Sequence, residues 1–256
     1  MKMSGAQRVS DQLTWENTGI ADQVVAPAKQ ARPHLWAVSP THLPTVVSRT
    51  FSLRYSFAKR SLDLLASAVL MTLVFPMCLV IAICIKMTSS GPIFYREERI
   101  GRFGIPFRIV KFRSMYSRQH QCDVLGISED DPHIIHKRNL KKTPEDSRIT
   151  PIGQYLRKWS LDELPQLINV FRGQMSLVGP RPIVEAERTL YGPLMSYYTL
   201  LTPGMTGLWQ ISGRSGIGFE GRSYLDSDYG KRWSLLLDLE ILAKTVPVVL
   251  ARTGAY

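Results

Sequence analysis

The sequence predicts a small α/β, mainly helical domain joined to an N-terminal re-entrant, helix-break-helix membrane segment, with interfacial amphipathic helices. Three observations carry this expectation: an uncharged apolar run from Leu64 to Ile85, basic residues on both sides of that run, and a proline inside it. Beyond the run, short apolar stretches are punctuated by Gly and Pro, which predicts short strands and short helices.

At 256 residues and 29.0 kDa the chain is long enough to bury a full core. Its 32 Lys and Arg against 21 Asp and Glu give a net charge of +11. Such a balance calls for an anionic partner: nucleic acid, anionic lipid head groups or a phosphorylated substrate. The three cysteines make no disulfide framework, and no pair has metal-ligand spacing with a histidine. Residues 1–48 mix polar and small residues without a period and read as a poorly ordered tail. They lack the apolar core of a secretory signal, so the domain after the run is expected on the cytoplasmic side.

The run spans 22 uncharged residues, roughly 33 Å as a helix, enough to cross a hydrocarbon core. A buried helix of a soluble protein is the alternative, and the length argues against it. Arg49, Arg54, Lys59 and Arg60 precede the run, and Lys86, Arg96, Arg99, Arg102, Arg108, Lys111 and Arg113 follow it. Basic flanks belong on the cytoplasmic side, so a simple span would leave one of them on the wrong face. Pro76 removes a backbone donor just past the middle. A segment over 49–86 that enters, turns near Pro76 and leaves on the same face satisfies both observations.

After it, Gly91-Pro92 starts a turn. Ile93–Tyr95 and Phe107–Phe112 read as short strands around a bend at Gly101–Gly104. Residues 117–147 are polar and charged and read as an inserted surface loop within a domain covering 87–256. Residues 150–250 read mainly as short helices. The apolar-rich stretch from Trp233 to Arg252 suits an interfacial amphipathic helix, and equally a helix facing the core.

Ser147–Gly173 is the most informative segment. Thr150-Pro151 predicts an N-cap with proline in the first turn. Ser160-Leu161-Asp162-Glu163 fits a second helix start closed by a capping box, with Gly173 as its stop. Asp162 and Glu163 then sit in a first turn, where backbone N–H groups favour negative charge. From this segment alone they could be ordinary capping acids. The surroundings add chemistry. Arg157 lies five residues before Asp162, and two prolines stiffen the backbone around Arg181. Glycine-rich turns present Gln210 and Arg214, and Lys111 and Arg113 follow the membrane segment closely. A rigidly mounted guanidinium loses less entropy on binding an anion. Together these residues describe a phosphate-handling site at a lipid surface.

KRSLDLLAS (59–67), KFRSM (111–115), LRKWSLDELPQLINV (156–170), SLVGPRP (176–182) and PGMTGLWQISGR (203–214) closely resemble the bacterial sugar transferase family. These are monotopic polyprenyl-phosphate phosphoglycosyl transferases that begin exopolysaccharide and O-antigen repeat units. The resemblance runs in order over about residues 52–250. It implies a re-entrant segment dipping into one leaflet of the bacterial inner membrane and a catalytic domain on its cytoplasmic face. It further implies transfer of galactose or glucose 1-phosphate from a UDP-sugar donor to undecaprenyl phosphate, with release of UMP. Asp162 would be the nucleophile and a Mg²⁺ contact, and Glu163 would orient or deprotonate the acceptor. Lys111, Arg113, Arg157 and Arg181 would lie near phosphates, with Gln210 and Arg214 on the donor side. Lys59, Arg60, Asp63 and Pro76 match the membrane entrance, although Phe75 stands where the family often has Ser before the proline. A homodimer is compatible with the sequence.

A membrane-anchored scaffold of a polysaccharide assembly complex would explain the charge and the apolar run, but it leaves the Asp162 cluster without work. No nucleic-acid partner is expected, because no recognised nucleic-acid module appears.

Overall fold

The computed structural model describes residues 53–116, 148–212 and 218–251. The expected tail at 1–48, the inserted loop at 117–147 and Arg214 lie outside the described residues.

The apolar run forms a single α-helix, α1, Leu53–Thr88, 36 residues long. Its most apolar 18-residue window has a mean hydropathy of 2.8 and is only 11% buried by protein. Side chains such as Leu65, Leu73, Phe75 and Val80 are largely bare, and apolar surface of that extent needs a non-aqueous neighbour. A break was expected at Pro76; instead, the helix continues through it. Proline forfeits the bond to the carbonyl of Thr72, and a helix can absorb one such loss as a bend without ending.

Both ends of α1 dock on the same folded body. Near its start, Arg60 donates from Nη1 to the Val170 carbonyl and from Nη2 to that of Phe171, both at 2.7 Å. The buried Asp63 carboxylate accepts from Ser176 Oγ at 3.0 Å and from the Leu177 N–H at 2.9 Å. Near its end, Ile81 and Ile85 pack in a cluster with Phe112 and Leu156. Just past it, Arg113 donates from Nη2 to the Ser89 carbonyl at 2.7 Å.

Strands β1 (Phe94–Ile100) and β2 (Pro106–Phe112) form an antiparallel hairpin, in register from Phe94 opposite Phe112 to Ile100 opposite Pro106. β1 is longer than the expected Ile93–Tyr95 because the charged stretch Arg96–Arg99 pairs along β2 on a largely open face. Next come helix α2 (Pro151–Lys158), a 3-10 turn over Leu161–Gln166, and helix α3 (Leu167–Phe171). Thr150 caps α2 as expected, its side chain accepting from the Gly153 N–H. Gly173, at φ +78°, follows the end of α3, a left-handed position that suits glycine.

A second sheet, absent from the sequence expectation, pairs β3 (Ser176–Val178) in parallel with β4 (Gly204–Thr206). A Cβ on Gly204 would lie 2.1 Å from the Gly179 nitrogen, so the two backbones can approach this closely only with glycine there. Helices α4 (Arg188–Tyr191), α5 (Met195–Leu200), α6 (Leu208–Ile211), α7 (Phe219–Arg232) and α8 (Leu235–Leu250) complete the described fold. The main core gathers Ile109, Leu167, Val170, Leu177, Tyr229 and Ile241, with Ala66, Met71 and Val74 of α1 packed against it.

Asn169, fully buried on α3, takes the place of a neighbouring strand beside β2. Its Oδ1 accepts from the Val110 N–H at 3.0 Å, and its Nδ2 donates to the Arg108 carbonyl at 2.8 Å. Leucine is close in size but pairs with neither group, and each buried orphan costs about 1–3 kcal/mol. Asn169→Leu is therefore expected to lower unfolding free energy by at least about 2 kcal/mol. Denaturant titration checks this; a midpoint equal to wild type would refute the role.

Candidate active site

The turn that carries Asp162 and Glu163 differs from the expected capping box. Ser160 sits in the left-handed region at φ 56°, and its side chain makes no cap bond. The segment then runs as a six-residue 3-10 helix through Pro165 before α3 begins. A β-carbon in that region costs roughly 1–2 kcal/mol, so the turn is held by its surroundings. Glu163 is thereby spared the cap, and its Oε1 instead accepts from Lys111 Nζ at 2.6 Å.

β2 delivers Lys111 to this turn, and Asn169 fixes β2 against α3, so strand and acidic turn are one unit. Burial and the neighbouring Glu163 push the Asp162 carboxyl up to about 6, against the Lys111 and Arg157 cations and its own backbone N–H. Burial is the larger cause. Arg157 lies in the last turn of α2, directly before the Ser160 turn.

Beside the turn lies a shallow open cleft whose polar lining is Arg99, Lys111, Glu163, Gln166, Arg181 and Gln210. Arg181 follows β3 in Gly179-Pro180-Arg181-Pro182, and Gln210 lies on α6 just after β4. The parallel pairing of β3 and β4 is what brings these two motifs, 29 positions apart, to one cleft. Burial lowers the Arg181 pKa, with Glu163 opposing that shift and Arg222 and Arg99 adding to it.

The structure thus brings Asp162, Glu163, Lys111, Arg157, Arg181 and Gln210 to one region. It corrects the expectation for Arg113. That side chain is buried and reaches Ser89 O and Oγ, because the chain leaves β2 at Phe112 and turns toward the end of α1. Lys59, Arg60 and Asp63, expected at a membrane entrance, anchor the first part of α1 to the folded body. Lys59 Nζ donates to Asp238 Oδ2 at 2.7 Å and to the Val178 carbonyl at 3.0 Å. Gln166 and Arg222 were not singled out from the sequence, and Arg99 was read only as part of the basic flank; the tertiary fold is what gives each its neighbours at the cleft.

Among the described residues, no three His, Cys, Asp or Glu side chains converge as a metal cage. Mg²⁺ commonly takes one or two carboxylates and completes its octahedron with substrate phosphates and water. Asp162 and Glu163 beside a cationic cleft fit that pattern.

The sequence profile described as bacterial sugar transferase matches residues 54–252. A UDP-galactose-lipid carrier transferase of Erwinia amylovora is 46% identical over 200 residues, 78% of this chain and 42% of that protein. The exopolysaccharide production protein ExoY of Rhizobium meliloti (strain 1021) is 43% identical over 201 residues, 78% of this chain and 88% of that protein. A UDP-glucose:undecaprenyl-phosphate glucose-1-phosphate transferase of Caulobacter vibrioides is 41% identical over 207 residues, 77% of this chain and 72% of that protein. The chain therefore spans less than half of the first relative and most of the other two. With the membrane helix, the acidic turn and the cationic cleft all inside the matched region, the chain belongs to the bacterial sugar transferase family.

Proposed function

We propose that this chain transfers a hexose 1-phosphate, galactose or glucose, from a UDP-sugar to undecaprenyl phosphate, and so begins an exopolysaccharide or O-antigen repeat unit. The observation that carries the reading is the Asp162–Glu163 turn, set among Lys111, Arg157 and Arg181 beside a helix built for lipid contact. The names of the relatives support the donor and acceptor classes.

An Asp162 carboxylate oxygen attacks the sugar-bearing phosphorus, and the bond to the bridging oxygen breaks. UMP departs with that electron pair. The resulting acyl phosphate is reactive enough to pass the group on. An oxygen of undecaprenyl phosphate then attacks the same phosphorus, the bond to Asp162 breaks, and the carboxylate is restored. Glu163 orients the acceptor or takes its proton. Lys111, Arg157 and Arg181 balance charge on the phosphoryl oxygens, where most of the catalysis of such transfers lies. Asp162, together with the substrate phosphates, would hold a Mg²⁺ ion, which would supply further charge neutralisation.

Re-entry of α1 is supported by its two ends docking on one body and by its two basic flanks. A span would part those ends by a bilayer. Leu236, Leu239, Val246 and Leu250 form an open apolar edge on α8, which supports an interfacial position for that helix. The body would lie on the cytoplasmic face of the inner membrane.

The test is a panel of UDP-sugars assayed for UMP release with undecaprenyl phosphate. Turnover with UDP-galactose or UDP-glucose is the expected result. Silence across the panel would leave the scaffold reading.

The reading also fixes a pH dependence. Asp162 attacks only when ionised, so the first step should rise with pH through a midpoint near 6. Stability runs the other way. The folded state holds this proton more tightly than the unfolded chain, near 3.8, so the contribution of Asp162 to stability falls as pH rises from 3.8 to about 6. Lys111→Met should move the kinetic midpoint upward, since Lys111 favours the carboxylate. A first-step rate that is flat between about pH 5 and about pH 8 would contradict the assignment.

A further inference from the structure

Trp209 on α6 holds a position that the proposed chemistry does not use. The Arg181 guanidinium carbon lies 5.4 Å from the centre of its ring, and the Arg222 guanidinium carbon lies 5.4 Å from the same centre. One indole thus serves two cations, within the range of cation–π attraction.

Arg222 is itself nine-tenths buried on α7. Its Nη1 is 3.5 Å from Glu187 Oε1, and its Nε is 4.0 Å from Asp226 Oδ2. Among the described residues, its Nε and Nη2 have no hydrogen-bond partner. A second aromatic ring, Phe219, lies 5.3 Å from its guanidinium carbon. Asp226, one helical turn on and fully buried, accepts from the Tyr191 hydroxyl at 2.7 Å. The Asp226 carboxyl also feels the backbone N–H and the side chain of Arg181. Residues of α7 therefore act on Arg181 from two sides, on its main chain through Asp226 and on its guanidinium through Trp209.

Holding Arg99, Arg181 and Arg222 close together is electrostatically costly, a cost set against Glu163 and Glu187, the Arg99–Glu97 ion pair and Asp226 beside Arg222. A dianionic or trianionic ligand in the cleft removes that cost, and cations already fixed in place need little reorganisation when it binds. We infer that Arg222 is a positioning residue. Across the Trp209 ring it holds the Arg181 guanidinium toward the cleft, as a preset receptor for a diphosphate.

This inference rests on the proposed function for the identity of the diphosphate, but not for its chemistry. Inorganic pyrophosphate therefore serves as the probe, bound by calorimetry to the full chain in detergent micelles, alongside donor KM and kcat. Arg222→Gln and Trp209→Leu are each expected to weaken pyrophosphate about tenfold, the equivalent of one cation–π contact. Donor KM should rise by a similar factor, with kcat less affected. Trp209→Phe, which keeps a flat aromatic face, should recover most of what Trp209→Leu loses. In an Arg181→Gln background, neither change should weaken binding further, because the effect runs through Arg181.

Unchanged pyrophosphate binding in a folded Trp209→Leu protein would overturn the inference. So would an undiminished effect in the Arg181→Gln background, or an equal fall in kcat with KM unmoved. If Arg222→Gln does not fold, the Trp209 pair decides alone. Wild-type protein that binds pyrophosphate in the expected pattern but turns over no UDP-sugar would uphold the inference and sink only the proposed function.

Discussion

Asp162→Asn is expected to abolish covalent labelling by a UDP-sugar radiolabelled in its sugar phosphate, and to cut overall transfer by at least about a thousandfold. The amide keeps the size and much of the hydrogen bonding of the carboxylate, so the fold should survive. It has no anionic oxygen to attack phosphorus. The raised pKa of the acid gives the comparison a useful asymmetry. Relieving this partly buried carboxylate of its charge removes a desolvation cost, so the variant should be at least as stable as wild type near neutral pH. Lost activity together with retained stability is the signature of a reacting group rather than a structural one. A labelled protein from Asp162→Asn, with turnover within tenfold of wild type, would move the nucleophile elsewhere.

The second large effect lies away from the cleft. Asp238 on α8 is almost wholly buried, and its carboxylate collects Lys59 Nζ at 2.7 Å, the Tyr229 hydroxyl at 2.7 Å and Trp233 Nε1 at 3.2 Å. Asp238→Ala leaves the half-buried Lys59 cation without its counter-charge and takes an acceptor from Trp233 Nε1 and from the Tyr229 hydroxyl, which keeps the Val178 carbonyl at 3.2 Å. Breaking a buried ion pair from one side costs about 3–5 kcal/mol, a large share of the stability of an ordinary domain. The expected result is a lower unfolding midpoint in detergent and poor yield from membranes. Asp238→Asn should lie between, because it can still accept hydrogen bonds but no longer neutralises Lys59. If Asp238→Ala unfolds within about 1 kcal/mol of wild type, the network carries no weight.

What could be read from the sequence follows physical range. The Leu64–Ile85 run announces its helix because a long uncharged stretch has few other uses, and the Thr150 cap announces itself because capping is local. The Asp162–Glu163 turn could be picked from the sequence as a candidate, but its conformation could not. Ser160-Leu161-Asp162-Glu163 has the letters of a capping box, but Pro165 and the pull of Lys111 on Glu163 settle a 3-10 turn instead. β3 and β4, of three residues each, pair across 25 intervening positions and carry no period of their own. Arg113 shows the converse failure: a cation two residues from Lys111 looks like part of the same patch, but its strand ends between them. Arg222 and Asp238 matter through partners far along the chain, and no local pattern marks them.

Lys59 and Asp63 have a consequence for how this protein comes to exist. One turn of α1 supplies the counter-cation for Asp238, a ligand for the Val178 carbonyl and the acceptor for the Leu177 N–H, which means that β3 is finished from outside the domain. Synthesis delivers α1 before the residues it contacts, so α1 is the template on which they settle. A version trimmed to begin after Thr88 would lose that template and should emerge as an aggregate, not as a soluble enzyme. On the proposed reading, in which α1 enters lipid, insertion becomes an early step of folding.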